Sequence, residues 1–273
     1  MALDLCTLAG RRAMVTGCNT GLGQGMALAL AGAGADIVGV NMTAPAETEA
    51  QVRALGRRFV DLRADLRDSR CAEALGRRFL DLRANLADIG CIPELIERAR
   101  GLAGRIDILV NNAGIIRRED AIRFTEKDWD DVVDLNLKTV FFLSQAAARQ
   151  FLAQGTGGKI VNVASMLSFQ GGVRVPSYTA SKSGVMGITR LMANEWAPHR
   201  INVNAIAPGY MATHNTAALR ADSARSQAIL ERIPAGRWGL PEDLAGPVVF
   251  LASAASDYVN GYTVAVDGGW LAR

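Results

Sequence analysis

Residues 12–32 read RAMVTGCNTGLGQGMALALAG. The opening run, RAMVTG at 12–17, has the length and apolar content of a buried strand. Gly17, Gly21 and Gly23 follow in a G-x-x-x-G-x-G spacing, and a segment of helical pattern then continues to about residue 35. Glycines between a strand and a helix let the chain turn tightly and bring backbone N–H groups close to an anion. The helix N-terminus adds the positive end of its dipole. The stretch predicts a strand, a phosphate-cradling loop and a helix. Its spacing differs from G-x-G-x-x-G but meets the same physical need.

The rest of the chain repeats this rhythm. ADIVGVN (35–41), IDILVNNAG (106–114), KIVNVAS (159–165), INVNAIAPG (201–209) and YTVAVDGG (262–269) are short Val- and Ile-rich runs. Helical patterns occupy 126–153, 177–197 and 241–255. Alternating β and α elements predict an α/β fold, a Rossmann-type doubly wound parallel sheet with helices on both faces. No linker interrupts it, so 1–273 reads as a single domain. Such sheets bind ligands beyond the carboxyl ends of their strands.

The second strand ends at Asn41, which can hydrogen-bond ribose hydroxyls but cannot neutralise a phosphate. From Ala13 to Val52 there is no Lys, Arg or His, while Asp36, Glu47 and Glu49 add negative charge. A 2′-phosphate needs a cation near this strand end, so NAD is favoured over NADP.

One segment breaks the rhythm. ALGRRFVDLRADL at 54–66 recurs as ALGRRFLDLRANL at 74–86, identical at eleven of thirteen positions. A single pair is too short for a solenoid and reads as a 20-residue tandem duplication around the third strand. Only one copy can occupy the third-strand position, and the first is the favoured one.

Bulk properties exclude several classes. Of 273 residues 49% are hydrophobic and 21% charged, ordinary for a globular chain. A net charge of +3 with scattered arginines gives no nucleic-acid footprint. Cys6, Cys18, Cys71 and Cys91 show no ligand spacing, and His199 and His214 are the only histidines, so no metal site is expected. The run at 25–35 is too short to span a bilayer, and residues 1–12 lack a signal-peptide pattern. A cytoplasmic location is expected.

In SYTASKSGV (177–185), Tyr178 precedes Lys182 by four residues, so on a helix the two side chains share a face. A phenol has a pKa of about 10, and a neighbouring cation favours the phenolate. The pair is a candidate acid/base, although the short motif also occurs by chance.

TGCNTGLGQG, NNAG (111–114), Asn136 in DLNLK, Ser165 ending VNVAS, Tyr178-x-x-x-Lys182 and APG (207–209) occur in this order. Together they resemble the short-chain dehydrogenase/reductase family across essentially the whole chain. The resemblance implies that Tyr178 is the acid/base and that Lys182 lowers its pKa and holds the nicotinamide ribose. Ser165 would hydrogen-bond the reacting oxygen, and Asn136 would position a water leading from Lys182 to solvent. Gly17, Asn19, Thr20, Gly21, Leu22 and Gly23 would line the pyrophosphate. Asn112, Ala113 and Gly114 would line the adenosine ribose side, with Asn41, Asp65, Pro208 and Gly209 also at the cofactor. The family's Asp after the third strand matches Asp65 in the first copy, whereas the second has Asn85.

Longer segments, among them SMLSFQGGVRVPSYTASKSGVMG and IPAGRWGLPEDL, resemble family members that act on deoxy sugar acids, 2-dehydro-3-deoxy-D-gluconate or 2-deoxy-D-gluconate, in uronate and pectin breakdown. A sugar acid needs a cation and polar groups. Arg117, Arg118, Gln170 and Arg174 are candidates, with Ser165 and Tyr178 at the reacting carbon and His214 and Asn215 on a lid at 210–232. Arg117 and Arg118 can equally be solvated loop charges, and Arg174 can equally pair with a neighbouring chain. VAVDGGWLAR resembles the family's subunit-contact region and implies a homotetramer. Two alternatives stand beside this: the same chemistry on a polyol, a 3-oxoacyl thioester or a steroid, and a catalytically silent nucleotide-binding protein.

Overall fold

Strand β1 (Arg12–Thr16) lies near the middle of a seven-stranded sheet in a computed structural model that describes residues 3–63 and 89–273. The other strands are β2 (Asp36–Asn41), β3 (Phe59–Arg63), β4 (Ile108–Asn111), β5 (Gly158–Val163), β6 (Ile201–Pro208) and β7 (Thr263–Val266). Their order is β3-β2-β1-β4-β5-β6-β7, and every neighbouring pair is parallel. Helices α1 (Gly21–Gly32), α2 (Ala46–Ala54), α3 (Ile92–Ala103), α4 (Glu126–Val133), α5 (Thr139–Gln154), α6 (Pro176–Trp196), α7 (Ala217–Ala221), α8 (Ser223–Arg232) and α9 (Ala245–Ala252) complete the described elements.

Alternation along each strand divides the core into two layers. Met14, Val38, Val40, Leu109 and Val203 face α3, α5 and α6, packing with Leu95, Leu143, Phe151 and Met192. Ala13, Val15, Ile37, Val110 and Ile206 face α1, α2 and α9, packing with Met26, Leu30, Val52 and Val248. Both faces are therefore apolar, which is why the strands read as continuous hydrophobic runs rather than alternating ones. Each fully buried Leu, Ile or Phe contributes about 1.5–3 kcal/mol.

The strand order reverses between β1 and β4, and the crevice at their carboxyl ends is where such sheets take ligands. The third strand, Phe59–Arg63, comes from the first copy of the duplicated segment. The second copy, 74–86, lies outside the described residues, as does Asp65.

The helical pattern at 126–153 is not one regular helix. A π turn, Asp134–Lys138, separates α4 from α5, with Thr139 N–H bonded to the Asp134 carbonyl. It places Asn136, which is fully buried, where it clamps Ile115. Among the described residues no helix is long and apolar enough to cross a membrane, and no group of His, Cys, Asp or Glu is arranged to hold a metal ion.

Candidate active site

The loop after β1 is built to approach an anion. Gly17 and Gly21 have φ of +64° and +58°, a region that L side chains rarely adopt. Thr20 precedes α1 without capping it through its side chain, so the first-turn amides are left for a ligand. A Cβ at Gly23 would lie 2.1 Å from the Gly17 carbonyl oxygen and 2.4 Å from Asn112 Nδ2. The close approach is needed because Asn112 Nδ2 donates to the carbonyls of Thr16 (2.9 Å) and Gly17 (3.0 Å). The Thr16 hydroxyl in turn accepts from the amides of Asn112 and Ala113 at 3.0 and 2.9 Å. NNAG and the phosphate loop thus brace one another across the β1–β4 crevice.

Gly23→Ala is expected to weaken NADH binding at least about tenfold and to destabilise the fold by about 1–3 kcal/mol, the usual cost of overpacking. Fluorescence titration and urea unfolding measure the two; unchanged values for both would contradict the close approach.

The crevice opens into a cleft of about 830 Å³. Its lining includes Gly17, Asn19 to Gly23, Asn112 to Gly114, Tyr178 and Lys182, and Ala212 to Ala217 from the segment after β6. This volume, the uncapped helix start and the tight glycines together fit a dinucleotide.

On α6 the Tyr178 and Lys182 side chains do share a face, with Lys182 Nζ 5.7 Å from the centre of the phenol ring. Lys182 is 4% exposed, and its Nζ donates to the Val163 carbonyl at 2.6 Å. Ser165 lies two residues beyond β5, and its hydroxyl accepts from the Leu167 amide at 3.2 Å. It also lies close enough to the Tyr178 hydroxyl to favour the phenolate. Ser168 fastens this turn to α6, donating to the Lys182 carbonyl at 2.6 Å. Asn136 Oδ1 accepts from Ile115 N–H (2.9 Å), and its Nδ2 donates to the Ile115 carbonyl (2.8 Å).

The electrostatics differ from the expected lowering of the phenol pKa. Burial pushes Tyr178 above its usual value; the Ser165 hydrogen bond and the Arg118 charge pull the other way without overcoming it. Burial also lowers Lys182, to about 8. Desolvation therefore outweighs the favourable interactions at Tyr178 and is the sole cause of the shift at Lys182.

The other sequence candidates separate. Arg117 borders the cleft but its guanidinium is 3.4 Å from Asp128 and 3.7 Å from Asp131. Arg174, with φ +63°, pairs with Asp120 (3.0 Å) and Glu119 (3.8 Å). Arg118 has no acidic partner among the described residues; it donates to the Asn215 carbonyl at 3.2 Å and acts on Tyr178. Gln170 accepts from Arg232 at 3.5 Å, joining the Ser165 turn to α8. Asn41 is fully buried at the end of β2 and donates to Asp61 at 3.2 Å. Pro208 ends β6 and Gly209 follows it; neither lines the cleft, whose lining after β6 begins at Ala212. In the expected lid, His214, Asn215 and Arg220 face the cleft, while Ile229 and Ile233 pack against Met166 and Trp270. Thr16 and Ser168, which brace the site, have no signature in the sequence, since their partners are distant along the chain.

Comparison with known proteins agrees with this geometry. A family model described as Enoyl-(Acyl carrier protein) reductase matches residues 17–271. The chain is 68% identical over 273 residues to 2-dehydro-3-deoxy-D-gluconate 5-dehydrogenase of Escherichia coli (strain K12), covering 100% of both chains. It is 65% identical to the protein of the same name from Dickeya dadantii (strain 3937), again with full coverage of both. Among solved structures, a gluconate 5-dehydrogenase from Burkholderia cenocepacia J2315 in complex with NADP and tartrate matches with a TM-score of 0.88, 37% identity and 100% coverage of both chains. The chain belongs to the short-chain dehydrogenase/reductase family, an oxidoreductase acting on CH–OH groups with a nicotinamide dinucleotide.

Proposed function

We propose that this chain is an NAD-dependent dehydrogenase that interconverts a secondary alcohol and a ketone on a deoxy sugar acid, with 2-dehydro-3-deoxy-D-gluconate the favoured substrate. The observation that carries the chemistry is Tyr178 lining the cleft with Lys182 beside its ring and Ser165 acting on its hydroxyl. Two relatives at 68% and 65% identity bear that substrate in their names.

A dinucleotide held by Gly17, Gly21, Gly23 and Lys182 would supply the hydride acceptor for the carbinol carbon. Tyr178, as its phenolate, takes the hydroxyl proton as the carbonyl forms, and as the phenol returns it in the reverse direction. Ser165 directs a second hydrogen bond at the same oxygen, where negative charge develops. Lys182, beside the phenol ring, would hold the nicotinamide ribose. Asn136, through its two bonds to Ile115, fixes part of the wall of the cleft that Lys182 also lines.

Arg118 is the proposed partner of the substrate carboxylate, because Arg117 and Arg174 are already held by acids. Arg118→Gln is expected to raise KM for the sugar acid about 10–100-fold, the worth of one charged hydrogen bond. It also removes a charge that favours the phenolate, so the rising limb of the oxidation pH profile moves to higher pH. Initial rates with the sugar acid and with an uncharged polyol, across pH, test both. An equal KM change for the two substrates would sink the assignment of Arg118.

The proposed assembly is a homotetramer, with Phe250 and Tyr262 among the exposed apolar side chains available for contact. Light scattering reports it directly.

A further inference from the structure

We propose that the Asp61–Arg63 pair on β3 sets the choice between NAD and its 2′-phosphorylated form: Arg63 is the cation within reach of a 2′-phosphate, and Asp61 withholds it. This rests on the nicotinamide-dinucleotide reading of the cleft and deepens it.

The β2–β3 register places Asp61 opposite Gly39 and Arg63 opposite Asn41. Registered residues of parallel strands point to the same face, so Asn41, Asp61 and Arg63 share the α1/α2 side of the sheet. A Cβ built on Gly39 would touch Phe59, Asn41 and Cys18 of the phosphate loop, which fixes that face independently. Strands in a sheet are about 4.8 Å apart, so Arg63 starts within one side-chain length of Asn41. In this fold type the end of the second strand meets the adenosine ribose, and a nearby Arg accommodates a 2′-phosphate.

No other basic residue between positions 13 and 63 is free to take that role. Arg53 pairs with Glu49 on α2 (2.7 Å). Arg57 donates to the Gly34 carbonyl at 3.2 Å, and Arg58 pairs with Asp36 at 3.0 Å. Gly34 and Asp36 stand at the amino end of β2, away from the crevice.

Arg63 itself is folded back. Its Nε donates to Asp61 Oδ2, while Asp61 Oδ1 accepts from Asn41 Nδ2 at 3.2 Å. The two side chains are 33% and 20% exposed. A partly exposed ion pair can be displaced by a competing dianion, and this one stands at the carboxyl end of β3 beside Asn41. The Asp61 carboxylate acts twice against that dianion: it occupies the guanidinium and repels a second negative group. Removing the carboxylate leaves a guanidinium whose planar fork suits phosphate.

The test is binding, with no turnover needed. Affinities for 5′-ADP and 2′,5′-ADP are measured by calorimetry, and for NADH and NADPH by fluorescence, in wild type, Asp61→Asn and Asp61→Asn/Arg63→Ala. The wild type is expected to favour the ligands without the 2′-phosphate. Asp61→Asn is expected to shift the ratio toward the 2′-phosphorylated ligands by about tenfold, and the added Arg63→Ala to undo the shift. A shift below about twofold, or one that survives loss of Arg63, overturns the proposal, as does a wild type that already prefers 2′,5′-ADP. Should Asp61→Asn fail to fold, Arg63→Ala alone is expected to weaken 2′,5′-ADP binding relative to 5′-ADP, and an unchanged ratio overturns the proposal. Absence of any NADH binding by the wild type would defeat the dinucleotide reading itself. NADH binding with an unmoved ratio defeats the role of this pair alone.

Discussion

Tyr178→Phe is expected to lower turnover by about 10²–10⁴-fold, the range attributed to a positioned acid/base, while NADH still binds. The phenylalanine ring fills the same space on α6, so the Lys182–Val163 bond and the cleft walls are retained. Only the hydroxyl that meets Ser165 is lost. Single-turnover rates with and without the substitution, alongside NADH fluorescence, separate the two effects. Turnover near that of wild type would remove the phenol from the proposed chemistry; joint loss of turnover and cofactor binding would recast Tyr178 as structural.

Lys182→Met is expected to abolish activity and yet stabilise the ligand-free protein. Burial lowers the Lys182 pKa from 10.5 to about 8, so at pH 7 the fold carries a charge it disfavours. At about 1.4 kcal/mol per unit this costs about 3 kcal/mol. Against it stands the lost hydrogen bond to Val163, about 1 kcal/mol, which leaves a gain of about 2 kcal/mol. The pH dependence has a definite sign. Between about 8 and 10.5 the unfolded chain keeps a proton that the folded chain has released, so wild-type stability rises with pH across this window. Tyr178, whose pKa is raised, works oppositely and only above its unfolded value near 10. Urea unfolding at pH 7 and pH 9.5 measures this: wild type gains stability from Lys182, and Lys182→Met lacks that gain. A variant less stable than wild type at pH 7 would mean that Lys182 supports the fold rather than burdening it.

Much of this site is legible in the amino-acid order alone, for identifiable reasons. Strands buried on both faces are continuous apolar runs, so RAMVTG and INVNAIAPG announce themselves. Tyr178 and Lys182 are four residues apart on one helix, and helical geometry alone brings them together. What is not legible depends on partners far along the chain. The pattern at 126–153 hides the π turn, because one extra residue per turn barely disturbs an apolar stripe. Arg117 and Arg118 are adjacent and identical in type. Only the packing of α4 shows that Asp128 and Asp131 take the first and leave the second facing Tyr178. A cation four residues from the phenol likewise suggests a lowered pKa. Desolvation of the phenol is the larger effect. The absence of any cation from Ala13 to Val52 argues for NAD, but the β2–β3 register sets Arg63 beside Asn41, and it is this arginine that Asp61 is proposed to withhold.

The most direct test of the proposed function follows absorbance of NADH when the purified protein meets 2-dehydro-3-deoxy-D-gluconate and NAD, with D-gluconate as the alternative substrate and NADP as the alternative cofactor. Rapid NADH formation on the deoxy sugar acid is expected, faster with NAD than with NADP and faster than on D-gluconate. No NADH formation from that substrate in a sample that binds NADH would contradict the proposed function.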